Sequence, residues 1–308
     1  MASHRFEKDA GLSARMGVTM FLLGLLYVVF VVLLAAVGIP LVLVIVVAGG
    51  LMFAQYYFSD KIALFSMGGH EVSAEEAPEL HGIVDRLCAM ADMKKPRVAI
   101  ADSDIPNAFA TGRSPNNAVV CATTGILRRL EEPELEAVLA HELSHVAHRD
   151  VAVMTIASFL GVLAGLITRM AFYAGLFGGF GGDRGGDDER DNSAGMVIAV
   201  IAISAAVYAV SFLLTRALSR YRELSADRAG ALLIGRPSAL AAALVKVSGD
   251  IARIPTRDLR AAEPLNAFFF TPALAGGFSL SSIFSTHPSL ERRLEQLAHI
   301  ESELGHAA

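Results

Sequence analysis

The chain has 308 residues, 54% of them hydrophobic and only 19% charged, with a mean hydropathy of +0.50. A purely water-soluble chain of this length carries more charge and no long uncharged runs, so several membrane spans beside one domain of ordinary size are expected. A formal net charge of -5 leaves no basic excess to neutralise a phosphate backbone, and nucleic acid is excluded as the expected partner.

Residues 1–15 read as a short N-terminal segment. Between Arg15 and Asp60 there is no charged side chain, and one helix of that length would run about 65 Å, twice the hydrocarbon thickness. Gly38-Ile39-Pro40 sits at the midpoint, where glycine loosens the backbone and proline removes a donor, so 16–58 reads as a hairpin of two spans, 16–37 and 41–58. The apolar run continues into a second span instead of ending at a cleavage site, so the N-terminus reads as retained.

Residues 59–150 form the first soluble part. Leu80, Ile83, Val84, Leu87 and Met90 recur at three and four residues and predict a helix over 77–93. The runs 97–101 and 118–122, bounded by Pro, Asn and Gly, predict a small sheet or hairpin whose edges can accept an extended peptide. A helix is expected from Glu132, with Pro133 in its first turn and acids at 131, 132, 134 and 136 matching the positive end of its dipole.

A third apolar run, 151–180, is interrupted only by Arg169, which must snorkel, pair, or mark a helix that enters the bilayer only in part. A fourth, 195–215, has no charge. The tract 181–194 between them holds five acids and two arginines and reads as a solvated loop. Residues 216–308 form a second soluble part. Arg5, Lys8, Arg15, Lys61, Arg149, Arg216, Arg220 and Arg222 flank the ends away from the hairpin tip, so both termini and both soluble parts are expected on the cytoplasmic face. Cys88 and Cys121 form no metal-binding pair and read as free buried thiols.

The residues with the most chemistry are His141-Glu142-Leu143-Ser144-His145. Two histidines four apart on a helix point the same way, and the glutamate beside the first can reach a metal-bound water. A catalytic zinc takes three protein ligands and keeps one position open. Arg222-Glu223-Leu224-Ser225-Ala226-Asp227 offers the third ligand in Glu223, at the start of a helix after the fourth span, with Asp227 one turn later to fix a ligand histidine. His148, seven residues after His141, is the competing third ligand. The expected chemistry is peptide hydrolysis by a zinc-activated water, with Glu142 as general base, and one Zn2+ per chain.

Four motifs in order resemble the HtpX family of membrane-integrated zinc metalloproteases, relatives of the type I CAAX prenyl proteases, over nearly the whole length. They are Asn107-Ala108-Phe109-Ala110-Thr111-Gly112, His141 to His145 with Asp150, Arg222-Glu223 to Ala226-Asp227, and Ser285-Thr286-His287-Pro288-Ser289-Leu290-Glu291-Arg292-Arg293. The resemblance implies His141, His145 and Glu223 as zinc ligands, Glu142 as base and Asp227 as the partner of a ligand. It also implies Asn107, Ala108, Phe109, Ala110, Thr111 and Gly112 as a substrate-binding strand, and His287 as a donor to the tetrahedral intermediate. The implied substrates are misfolded or damaged membrane proteins at the inner, cytoplasmic membrane. The expected fold is α+β and predominantly helical, a four-span, multi-pass membrane protein with a cytoplasm-facing zincin-like (gluzincin) protease domain. A prenyl-peptide protease and a non-enzymatic scaffold are the alternatives; an intramembrane site is disfavoured by the acids that precede His141.

Overall fold

The computed structural model describes residues 9–178, 187–251 and 288–306. The chain divides into two compact units, one of Ala14–Tyr57 and Val153–Leu218, the other of Met1–Ser13, Phe58–Ala152 and Ser219–Ala308.

The first unit is helical. Helices α1 (Ala10–Ala36) and α2 (Leu41–Tyr57) flank a turn in which Gly38 has a φ of 91°, a left-handed conformation that glycine adopts without steric penalty. The third helix of this unit, α7, spans Asp150–Gly178, and a fourth, α8, runs Asp187–Ile234 without a break. Leu23, Phe30, Leu34, Ala48, Leu160, Leu163 and Val207 form its core. Gln55 ties α2 to α7 by donating to the Thr155 carbonyl at 3.1 Å. Outward-facing Phe21, Val28, Val32, Val46, Phe53 and Leu213 are exposed, as side chains in contact with lipid would be. Among the described residues, three helical stretches are long and apolar enough to cross a bilayer, Ala10–Ala36, Val153–Met170 and Gly195–Ile234, and Ile45–Tyr57 is a shorter apolar helix.

Two features of α8 differ from expectation. The tract 181–194 is not a loop throughout: helix begins at Asp187, because its glycines end at Gly186 and none interrupts 187–194, while 181–186 lie outside the described residues. Glu223 does not open a new helix either. No proline occurs between Asp187 and Ile234, and the helix runs on through Glu223 until Gly235, at φ 63°, and Pro237 end it.

The second unit is built on a four-stranded sheet of order β1-β2-β4-β3, with β1 at Gly69–Glu71, β2 at Arg97–Ala101, β3 at Ala108–Thr111 and β4 at Val119–Thr123. β2 and β4 pair in parallel, so the runs 97–101 and 118–122 are not the two arms of a hairpin; β3 lies between them in sequence and forms the sheet edge, antiparallel to β4 with Ala110 opposite Val120. β4 is buried along its whole length, which its apolar sequence without alternation reflects. Side chains alternate by strand geometry: Ala99, Ala101, Phe109, Val119 and Cys121 pack on α3 (Ser59–Met67) through Ala63 and Leu64, while Val98, Ala108, Val120 and Ala122 face the main core. That core is completed by α4 (Pro78–Ala91), the short α5 (Thr124–Arg129), α6 (Glu132–Ala147), α9 (Pro237–Ile251) and α10 (Leu290–His306). Glu136 on α6, itself buried, pairs with Arg86 of α4 at 2.7 Å and with Arg236 ahead of α9, so its charge is compensated while it joins three elements.

Candidate active site

α6 begins with a reciprocal capping box. The Glu131 side chain accepts from the N–H of Glu134, whose own carboxylate accepts from Glu131 N–H at 3.0 Å, and Pro133 sits in the first turn. From Glu134 to Val146 every side chain of the helix is buried. A helix buried all round demands a partner for each polar group it takes inside.

Those partners converge on one point. His141 Nε2 and His145 Nε2 lie 3.2 Å apart, and the Glu223 carboxylate of α8 approaches both, Oε2 at 3.6 Å from His141 and Oε1 at 3.6 Å from His145. Ligand atoms from all three fall within 4.8 Å of one another. A tetrahedral zinc with ligands at about 2.0–2.1 Å spaces them about 3.3–3.4 Å apart, so these separations fit that ion. Among the described residues, this is the cluster of metal-ligating side chains that forms.

Behind the histidines stands a second row. Asp227 Oδ1 lies 2.9 Å from His141 Nδ1, and Arg293 of α10 closes a fork on the same carboxylate, donating from Nε to Oδ2 and from Nη2 to Oδ1, both at 2.7 Å. The Arg293 side chain is 1% exposed. Arg222 Nη2 approaches Glu223 Oε1 at 3.1 Å. Burial on its own raises the Asp227 pKa, but the Arg293 guanidinium outweighs it and holds the carboxylate below the usual range. Burial likewise lowers the His141 pKa, yet Asp227 and Glu223 overcome it and bring the imidazole to about 9; this point in the protein attracts positive charge. Glu142 is pushed upward, chiefly by burial.

Glu142 faces the sheet: its Oε2 accepts the Ala110 backbone N–H of the edge strand β3 at 3.0 Å. Gly230, seven residues after Glu223, is where α8 meets α6. A Cβ there would lie 2.8 Å from His141 N and 3.0 Å from its Cα, so only glycine admits this approach.

The structure thus brings together His141, Glu142, His145, Glu223 and Asp227. Ala108, Phe109, Ala110 and Thr111 form β3; Asn107 precedes it, bonded through its backbone to Thr123, and Gly112 ends it at φ 130°, its Cβ position 2.3 Å from the Asn117 carbonyl. Phe109 faces the α3 side of the sheet, and β3 meets Glu142 through the Ala110 backbone N–H. His148 is not in the cluster: it caps α6, its Nδ1 2.9 Å from the Ser144 carbonyl. His287 lies outside the described residues. Arg293, Gly230 and the Ala110 N–H were not singled out by sequence. Arg293 was within reach, because it ends the Ser285 to Arg293 motif and a buried acid such as Asp227 needs a cation.

A buried helix with His-Glu-x-x-His, completed by a carboxylate from a distant helix, defines a metallopeptidase of the HExxH class. The chain belongs to Peptidase family M48, whose sequence profile it matches over residues 74–301. It is 64% identical over 304 residues to Protease HtpX homolog 1 of Streptomyces coelicolor, covering 98% of this chain and 97% of that one. Identity is 55% to Protease HtpX homolog of Moorella thermoacetica, with 96% of each chain covered, and 39% to that of Pyrococcus abyssi, with 96% and 98% covered. The fold is similar to the crystal structure of S. mikatae Ste24p, with a TM-score of 0.51 at 16% identity, over 94% of this chain and 67% of that one. These relationships define an HtpX-type membrane metalloprotease, a hydrolase.

Proposed function

We propose that the protein is a zinc endopeptidase in which His141, His145 and Glu223 hold the ion, Glu142 is the general base, and the substrate chain lies along β3. The observation that carries this reading is the approach of two Nε2 atoms and one carboxylate to 3.2–3.6 Å inside the core. When bound, zinc supplies Lewis-acid activation of water and of the peptide carbonyl. Glu142 takes a proton from the attacking water and returns it to the leaving amine; its raised pKa keeps the protonated form accessible for the second transfer. The Ala110 N–H holds Glu142 beside the strand. Asp227 keeps the His141 Nδ1 proton and thereby points Nε2 toward the ligand cluster, and Arg293 holds Asp227. As an edge strand, β3 can bind an extended peptide through its backbone. His287 would donate to the tetrahedral intermediate.

On this reading 16–37, 41–58, 151–180 and 195–215 are four spans, the soluble parts 59–150 and 216–308 face the cytoplasm at the inner membrane, and the substrates are misfolded or damaged membrane proteins. The arginine distribution supports the orientation. The test compares casein cleavage by detergent-purified wild type and Glu142→Gln, each stripped of metal and then given zinc. Zinc-restored cleavage in the wild type alone is expected. Cleavage by Glu142→Gln at the wild-type rate, or no cleavage by a zinc-loaded wild type, overturns the assignment.

A further inference from the structure

Helix α3 has two apolar faces, and among the described residues one of them is packed. Ala63 and Leu64, with Met67 beside them, pack beneath the sheet against Ala99, Ala101, Phe109, Val119 and Cys121. The other face, Phe58, Ile62 and Phe65, follows helical spacing at i, i+4 and i+7 and is exposed; Phe65 is 90% exposed. The helix cannot roll to hide it, because Asp60 is paired with Arg97 of β2 at 2.5 Å and Leu64 is already seated. A phenylalanine left in water forgoes the free energy of burying its ring.

The surroundings in sequence say what covers this face. α2, an apolar helix with Val42, Val46 and Phe53 exposed, ends at Tyr57, and α3 starts two residues later. The junction reads Tyr56-Tyr57-Phe58, and Lys61 holds its ammonium 6.0 Å from the Phe58 ring centroid. Aromatic rings beside a cation on an aliphatic stem are the composition of a membrane–water interface.

We propose that α3 is an interfacial helix whose Phe58, Ile62 and Phe65 face lies at the boundary of lipid headgroups and acyl chains. The occupant is the bilayer, because the apolar, exposed α2 ends at Tyr57, directly before Phe58 in sequence, and the junction has the composition of a membrane interface. Its other face holds the sheet through Leu64 and Phe109, so the sheet that ends in β3 is moored to the lipid surface. The mooring does not depend on the catalytic assignment, but it does rest on α2 lying in lipid.

The experiment uses the full chain in phospholipid nanodiscs, with single cysteines introduced as Ile62→Cys, Phe65→Cys, Phe53→Cys and Glu75→Cys and labelled with an environment-sensitive fluorophore. Cys88 and Cys121 do not compete, because burial pushes their thiols up to about 11 and about 12. Labels at 62 and 65 are expected to lose emission in lipids brominated near the headgroup and to resist aqueous iodide. The label at the exposed Glu75 position should do the reverse. Iodide quenching at 62 and 65 equal to that at 75 overturns the proposal, as does quenching by neither agent, which would mean that protein covers the face. Phe53 separates the premises: lipid quenching at 53 without quenching at 62 and 65 overturns the interfacial helix alone, whereas failure at all three overturns the placement of α2 as well.

Discussion

The two helices that build the site do so by opposite means. α6 supplies His141, Glu142 and His145 from little more than one turn, starts at its own capping box, and is enclosed by core on every side. α8 supplies Glu223 and Asp227 from the last third of a 48-residue helix whose earlier part is an apolar stretch, and it is brought against α6 through Gly230 and held by Arg293 from α10. Local spacing therefore suffices to align the α6 groups, while the α8 groups depend on contacts with other elements. Substitutions along α8 should damage metal binding, and those at the start of α6 should damage stability alone.

The largest effect is expected at Arg293. Arg293→Ala leaves Asp227 buried with its main cation gone, a loss of about 3–5 kcal/mol, or a fall of roughly 10 °C in the unfolding temperature. Thermal unfolding of the detergent-purified protein measures it, and Arg293→Lys should recover only part because an ammonium cannot form the fork. Gly230→Ala comes next: a methyl against the His141 backbone should cost about 1–3 kcal/mol and weaken zinc retention. Full zinc affinity in that variant would show that α8 need not touch α6 so closely.

Asp227→Asn should lower zinc affinity by about 10–100-fold, read by competition with a chelator, because the amide no longer anchors the His141 Nδ1 proton as a carboxylate does. The smallest effect belongs to the α6 cap. Glu131→Ala should cost about 1 kcal/mol in thermal unfolding and leave zinc affinity unchanged, which sharpens the contrast between the helices.

What was legible in the sequence follows the same division. The α6 motif is visible because its side chains share one helical period, and the turn at Gly38-Ile39-Pro40 because backbone chemistry marks it. Glu223 and Asp227 were legible as ligand-type residues one turn apart, but the unbroken path of α8 was not, because the apolar pattern ends near Thr215 while the helical backbone runs on. The parallel pairing of β2 with β4 was illegible because short runs do not encode their partners, and β3 is too brief to show alternation. The fork of Arg293 on Asp227 joins residues 66 apart, and the donor facing Glu142 is a backbone N–H that no side-chain pattern displays.

The most direct test of the ligand set is an anomalous-difference map recorded at the zinc absorption edge from crystals of the full chain grown with zinc. One peak bounded by His141 Nε2, His145 Nε2 and the Glu223 carboxylate is predicted, with Asp227 on the far side of the His141 ring. A peak that takes His148 in place of Glu223, or no peak between the two histidines in protein that still cleaves casein, would contradict the account.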